Sequence, residues 1–378
     1  MTTDADVIVV GAGPVGSALA TMLGLRGLRT LLIDQATFPR DKPCGEGLMP
    51  AGAQVLEELG VPLDCFPPLG GVSYRVPSVG CVAGSFSKGR TGRGTRRLVL
   101  DRLLAEHAAA TPNVELVLGC RARAIATEPR QVSVQTTAGS ITAKILVGAD
   151  GRRSQVGRLM GWQRPPRARR YALVGHLQLP AHEFDGIVVT LLRGCEVYLA
   201  PTSRDEVLVA LLGPKAGLKA ADEPVRAAYR RHVAEAHPEL AGSPPAAVRG
   251  AGPFWSRPSS VAGGRVFLVG DAAGFLDPLT GDGMAAGLVA ARRLASTLAG
   301  EPDRAAARYR RWEAGQWRRR VFMSRLALGL TRSSSRAGRA IIGLTRSPAT
   351  FSRLLEVNDG SRSPLSLTPR DWAALAGI

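Results

Sequence analysis

Apolar runs of strand length alternate along the chain with stretches whose apolar positions recur at helical spacing. The first run, residues 7–10, enters Gly11-Ala12-Gly13-Pro14-Val15-Gly16. A helix-like segment, 17–26, and a second run, 30–33, lead to Asp34. A later run, 143–148, arrives at Ala149-Asp150-Gly151, and a fourth, 265–269, at Gly270-Asp271. Glycine and aspartate thus recur together at three places: Gly11 with Asp34, Asp150-Gly151 and Gly270-Asp271. Strands interleaved with helices argue for an α/β protein with a parallel sheet.

Between these landmarks the pattern is more broken. Residues 38–50 are punctuated by Pro and Gly and read as a loop, after which Pro50 opens a helix to 59 that Gly60 stops. Short strands are expected over 69–87, a flexible basic turn at 89–94, and a helix over 102–110 preceded by Arg97. Strands at 114–118, 122–126, 132–136 and 140–142 suggest a small antiparallel excursion, and Ser154 is placed to cap a helix ending at Met160. Alternation over 171–212 predicts β-sheet, followed by an amphipathic helix (222–236), a Pro/Gly-rich loop (242–252) and an aromatic edge (254–258). A long helix is expected over 285–298. The remainder, 304–357, reads as arginine-rich helices with apolar spacing in 321–330 and 337–344.

The first motif has a mechanical reading. Gly11 permits a sharp exit from the strand, Gly13 lets a pyrophosphate approach the backbone, and Gly16 lets the helix pack closely. Val15 and Gly16 keep N–H groups at the helix's positive end, whereas Pro14 has none to offer. Asp34 can accept from both ribose hydroxyls and disfavours a 2′-phosphate, which leaves NAD and FAD. Cys44-Gly45-Glu46-Gly47 forms either a tight connection or a loop along a cofactor's reactive ring.

Composition narrows the classes. Apolar residues make up 45% and charged residues 21% of 378, an ordinary globular balance, but the net charge is +18 and almost all of it is arginine. GC-rich codon usage would produce that, as would an anionic ligand or a membrane surface. No basic arm interleaved with aromatics is present, which speaks against nucleic acid. Five cysteines and five histidines fall in no metal-ligand spacing, so no metal site is expected, and the scattered thiols suit a reduced, cytoplasmic setting. No apolar run is long enough to span a bilayer. For the C-terminal helices a packed layer is the first reading and a basic amphipathic membrane contact the second.

Taken together the three Gly/Asp sites resemble the FAD-dependent monooxygenase superfamily with the p-hydroxybenzoate hydroxylase fold, over about residues 5–300. The resemblance implies a Rossmann-like FAD-binding domain from residues 1–68, 95–168 and 258–300. It also implies an inserted β-sheet substrate domain (69–94 and 169–257) and a C-terminal helical region (301–378). It assigns FAD contacts to Gly11, Gly13, Pro14, Val15, Gly16, Asp34, Arg97, Ala122, Asp150, Gly151, Gly270 and Asp271. Pro278 would lie by the isoalloxazine, and the helix opening near Gly281 would aim the N–H groups of Gly283 and Met284 at the flavin N1–C2=O edge. Arg40-x-Lys42-x-Cys44-Gly45 and the Pro-Leu-Thr-Gly-x-Gly run are similar to the geranylgeranyl-reductase-related branch, which adds Arg40 and Gly45 to the cofactor set. Glu46 stands where that branch has glycine, which makes Glu46 and Cys44 candidates for a polar or catalytic role. The tryptophans lack the halogenase W-x-W spacing.

The resemblance implies an NAD(P)H-reduced flavin. The first expectation is a monooxygenase that uses molecular oxygen and a flavin C4a-hydroperoxide to hydroxylate or epoxidise a small organic substrate. The second is a reductase of an isoprenoid or other alkene. A non-catalytic FAD-bound escort protein is the third. The substrate would sit between the flavin and the sheet of 171–212, with Tyr74, Tyr198 and Trp255 as candidate lining.

Overall fold

The computed structural model describes residues 4–86, 89–167, 169–179, 184–300 and 302–378. Its first sheet is built on parallel strands in the order Val266–Leu268, Gly139–Gly148, Ala5–Val10, Thr30–Asp34, Val114–Leu118. Ala122–Thr127 and Val132–Thr136 form an antiparallel excursion from it. The segments expected separately at 140–142 and 143–148 are one strand of 10 residues. Ala143 explains why: it pairs with Val132 of the excursion and with Ala5 of the central strand.

Helix Pro14–Gly24 is buried along almost its whole length and packs against helices Gly283–Leu298 and Arg97–Ala109. Small residues make this possible: a Cβ on Gly287 would stand 2.6 Å from Val15 Cγ2. Leu19 and Leu23 are fully buried, each contributing about 1.5–3 kcal/mol relative to exposure. Helix Arg97–Ala109 starts well before the expected 102, so Arg97 is its first residue rather than a residue ahead of it. The cause lies elsewhere in the chain: Glu46 Oε1 accepts the Arg97 N–H at 2.8 Å, satisfying a donor that a helix end otherwise leaves free.

The second sheet has seven strands in the order Val248–Ala251, Arg170–Gln178, Glu206–Pro214, Glu196–Pro201, Ile187–Leu191, Gly71–Val76, Gly80–Ser85. Its single parallel pairing, Ile187–Leu191 on Gly71–Val76, unites two stretches distant in sequence. Glu196–Pro201 is buried on both faces. Val197 and Leu199 face helix Val225–Ala236, whereas Tyr198 and Ala200 face the other way. A small third sheet joins Gly47–Leu48, Gly92–Gly94 and Pro68–Leu69. The expected basic turn is therefore in part a strand. Gly94 is seated so tightly that a Cβ would stand 1.8 Å from the Pro201 carbonyl oxygen.

Helices Pro302–Thr331, Ser334–Arg346, Pro348–Asp359 and Pro369–Ala376 close the chain. They cover the second sheet, with Ile341, Leu344, Phe351 and Leu354 meeting Val76 and Val82. No helix among the described residues is long and apolar enough to cross a membrane.

Candidate FAD and substrate site

The three glycines of the first motif divide the work. Gly11 has φ +105°, and a Cβ there would meet the Ala149 oxygen at 2.7 Å. A Cβ on Gly16 would stand 1.8 Å from the Gly11 oxygen. Both close the strand–helix joint. Gly13 is different: a Cβ would meet only Arg40 Nη2, at 3.5 Å, so this position opens on space and a cation. Pro14 and Val15 start the helix, and the Val15 side chain packs on Gly270 and Gly287.

Asp34 is buried at the end of its strand. Its Oδ2 accepts the Ala12 N–H at 2.8 Å and lies 3.2 Å from Arg40 Nη2; its Oδ1 accepts the Ala36 N–H. Arg97 makes two hydrogen bonds to Asp101, at 2.6 and 2.8 Å. Lys42 comes close to Gly151, its Nζ 2.9 Å from where a Cβ would sit. Burial, with Arg97 and Arg40 nearby, pushes the Lys42 pKa down, against the pull of Asp271. The Asp271 carboxylate accepts no hydrogen bond among the described residues, and Arg152 also feels its charge. Arg40, Lys42 and Arg97 thus converge beside Gly13 and Gly151, and Arg40 Nε is buried without a hydrogen-bond partner.

Asp150 is turned inward. Its carboxylate accepts from Ser154 Oγ at 2.6 Å and from the N–H groups of Gln155 and Val156, and Ser154 caps the helix as expected. Burial raises the Asp150 pKa. Asp150 therefore sets the loop that presents Gly151. Ala122 is buried at the start of its strand.

The third element is the turn before helix Gly283–Leu298. Arg170 bridges Asp277 (2.6 Å) and Glu196 (2.7 Å), and Asp277 Oδ1 accepts the Leu279 N–H, fixing the turn Pro278–Thr280. Gly281 follows with φ +66°. Asp282 does not cap the helix with its side chain: Oδ1 accepts from Thr280 and Oδ2 from Arg320 Nε at 3.2 Å. Asn358 Nδ2 donates to the Thr280 carbonyl. The N–H groups of Gly283 and Met284 are left at an uncapped helix end, and a Cβ on Gly283 would meet nothing within 4 Å. An uncapped N-terminus attracts negative charge.

An orphaned guanidinium nitrogen, a glycine facing open space, a converging set of cations and a free helix end fit a cofactor with two phosphates, a ribose and an anion-stabilised ring edge. Arg40, Lys42 and Gly13 would hold the phosphates, Asp34 the ribose, Asp271 the ribityl chain, and Gly283 and Met284 the ring edge.

Glu46 is held at both carboxylate oxygens. It adopts φ 56°. Its carboxylate meets the Arg97 N–H, Arg96 Nη1 at 3.3 Å and His176 Nε2 at 2.8 Å. These contacts anchor the loop to helix Arg97–Ala109 and to the second sheet. Cys44 lies against Arg97, and Gly45 against the ring of Tyr198.

Beyond the Pro278 turn lies an apolar cavity walled by the second sheet and the C-terminal helices. Leu279, Thr280 and Gly281 line it, so it abuts the turn that feeds Gly283. Tyr74 and Tyr198 line it. Trp255 does not: it sits in a strained segment (φ +66°), hydrogen-bonded to Leu276 and Arg167 outside the cavity. The wall supplied by Leu326, Leu330, Ile341, Leu344 and Phe351 was missed, because their spacing marks a buried face without saying what it faces. Lys42 was missed as a ligand, although it is one of only five lysines in an arginine-rich chain.

Comparisons with known proteins agree with this geometry. The FAD binding domain family matches residues 4–73 and 88–310. Menaquinone reductase of Mycobacterium tuberculosis is 32% identical over 78% of this chain and 76% of that protein. Digeranylgeranylglycerophospholipid reductase 1 of Methanopyrus kandleri is 30% identical over 76% and 78%. Rifampicin monooxygenase of Streptomyces venezuelae is 28% identical over 79% and 64%. Among solved structures, a flavoprotein/dehydrogenase from Cytophaga hutchinsonii superposes with TM-score 0.81 at 18% identity, covering 94% and 93% of the two chains. PqsL from Pseudomonas aeruginosa, described as a probable FAD-dependent monooxygenase, superposes with TM-score 0.76 at 22% identity, covering 88% and 98%. The chain belongs to the FAD binding domain family and is an FAD-dependent oxidoreductase of the flavin monooxygenase superfamily.

Proposed function

We propose that this oxidoreductase reduces a carbon–carbon double bond in a long apolar, isoprenoid-like substrate, with NAD(P)H as the source of electrons. The observation that carries this reading is the cavity. It is lined almost wholly by aliphatic and aromatic side chains and ends at the Leu279–Gly281 turn beside the free helix end. Such a wall recognises chain length and branching and offers little to orient a polar ring. Relatives named as menaquinone reductase and digeranylgeranylglycerophospholipid reductase are at least 30% identical over three quarters or more of the chain, whereas a rifampicin monooxygenase of Rhodococcus hoagii is 31% identical over 49% of it.

FAD, when bound, supplies hydride transfer between nicotinamide and substrate. Saturating the bond requires that hydride on one carbon and a proton on the other, with oxidised nicotinamide as the co-product. The protein must hold the proton. Tyr198 is suited: it lines the cavity with its hydroxyl beside Gly47, and burial, reinforced by Cys44, Tyr74 and Glu46, keeps it protonated far above the ordinary range. Tyr74, likewise raised by burial and Glu196, donates to the Leu279 carbonyl at 3.4 Å and orders the turn. The apolar helices exclude water from the reacting carbons.

Oxygen transfer, the first expectation from the sequence, is the second reading, and the similarity to rifampicin monooxygenase favours it. The deciding experiment follows NAD(P)H oxidation with prenyl-chain and aromatic substrates, with and without oxygen. Oxygen-independent turnover yielding a product two hydrogens heavier supports reduction; strictly oxygen-dependent turnover with one oxygen atom incorporated rejects it.

A further inference from the structure

The helices that wall the cavity carry a second feature on their outer side. Between Glu313 and Glu356 the sequence holds nine arginines and no acid. Three turn inward: Arg319 to the Val357 carbonyl, Arg320 to Asp282 and Arg353 to Asp371. The other six, Arg318, Arg325, Arg332, Arg336, Arg339 and Arg346, are exposed and have no ion-pair partner among the described residues. Elsewhere arginines such as Arg96, Arg97, Arg170 and Arg257 are matched to carboxylates. Codon usage would spread arginine evenly; it would not remove every acid from one stretch.

Helix Ser334–Arg346 shows the arrangement most sharply. Ala337, Ala340, Ile341 and Leu344 line the cavity. The opposite face exposes Arg336, Arg339 and Arg346 around Ile342, which is 42% exposed. Helix Pro369–Ala376 is seated beside it, so closely that a Cβ on Gly343 would stand 2.0 Å from the Ala374 oxygen. That neighbour adds Trp372, also 42% exposed, stacked edge-on against Phe322. Unpaired guanidiniums interspersed with an exposed isoleucine and tryptophan suit a surface that is anionic at its face and apolar just beneath.

We propose that this face docks on an anionic lipid bilayer. A soluble polyanion would satisfy the arginines and leave Ile342 and Trp372 in water; lipid headgroups and acyl chains satisfy both. One helix would then touch lipid with its outer face and the cavity with its inner face. The benefit, collecting a lipid-dissolved substrate, rests on the reductase reading; the docking itself does not.

The test is co-sedimentation of the full-length, FAD-loaded protein with vesicles. It should bind vesicles of equal parts phosphatidylglycerol and phosphatidylcholine, be released by salt, and ignore pure phosphatidylcholine. Each arginine near an anionic surface strengthens binding about fivefold, so R336E/R339E/R346E should weaken it at least about a hundredfold. Its flavin absorbance should stay unchanged. I342S/W372S should weaken binding without changing its salt dependence. Equal binding by the triple arginine variant, or wild-type protein left in the supernatant, overturns the proposal. So does binding to duplex DNA as tight as to vesicles with no effect of I342S/W372S. Because no turnover is measured, failure here leaves the reductase reading standing, and failure of that reading leaves docking standing.

Discussion

The carboxylate of Glu46 and Nε2 of His176 lie 2.8 Å apart, tying the loop under the nucleotide cradle to a strand of the second sheet. Glu46 is only 1% exposed and sits at φ 56°, a conformation costing an ordinary residue about 1–2 kcal/mol. The contacts to His176, Arg96 and the Arg97 N–H offset that cost. Glu46→Ala keeps the strain and removes the contacts, and should destabilise the fold by about 3–5 kcal/mol, as loss of a buried charge partner does. Glu46→Gly removes both and should fall between Ala and wild type. Urea unfolding measures this; an Ala variant as stable as wild type would show that the contacts carry no energy.

Gly13 and Gly16 should fail differently. Gly13→Ala meets only Arg40 Nη2 at 3.5 Å, so it should fold, whereas Gly13→Trp fills the open space and should purify as folded, colourless protein. Gly16→Ala meets a backbone oxygen at 1.8 Å and should not yield soluble protein at all. Flavin absorbance together with circular dichroism separates the outcomes. Stoichiometric flavin in Gly13→Trp would place the cofactor elsewhere.

Tyr198→Phe removes the hydroxyl and little else. Under the reductase reading, the rate of alkene saturation should fall by about 10²–10⁴, the range for loss of a general acid. Reduction of the flavin by NAD(P)H should be unaffected. Rapid-mixing measurements resolve the two half-reactions; equal loss in both would mean that Tyr198 supports cofactor placement instead.

Asp371 governs the acid stability of the last helix. Burial works against its charge, but Arg353, Thr350 and the Thr368 cap outweigh it and hold its pKa below the ordinary 3.8. A carboxyl depressed in the folded state stabilises above its unfolded pKa and loses that contribution as pH falls through the folded value. Stability should therefore be undiminished by this group at pH 6 and decline below about pH 4. Asp371→Asn should lower stability at pH 6 and flatten this part of the acid dependence. Limited proteolysis of the C-terminal helices across pH reads both.

The nucleotide cradle was legible in the residues alone because its geometry is local. Gly11, Gly13 and Gly16 lie within one turn of chain, and Asp34 ends the next strand, so spacing already dictates which atoms can meet. Helix Gly283–Leu298 itself was legible from residue 285 on, but the free N–H groups at Gly283 and Met284 were expected only through the family resemblance. Long-range partners were not legible. Nothing local to Glu46 foretold that His176, on a strand 130 residues away, meets its carboxylate. Trp255 looked like substrate lining until the edge segment carrying it turned outside the cavity. Periodicity in Ala337–Leu344 told that one helical face is buried, but a 3.6-residue repeat is the same whether that face meets a sheet, another helix or a ligand. Only the folding of the C-terminal helices back over the second sheet decided that it walls an apolar cavity, because that contact is set by the packing of distant surfaces rather than by any local preference of the chain.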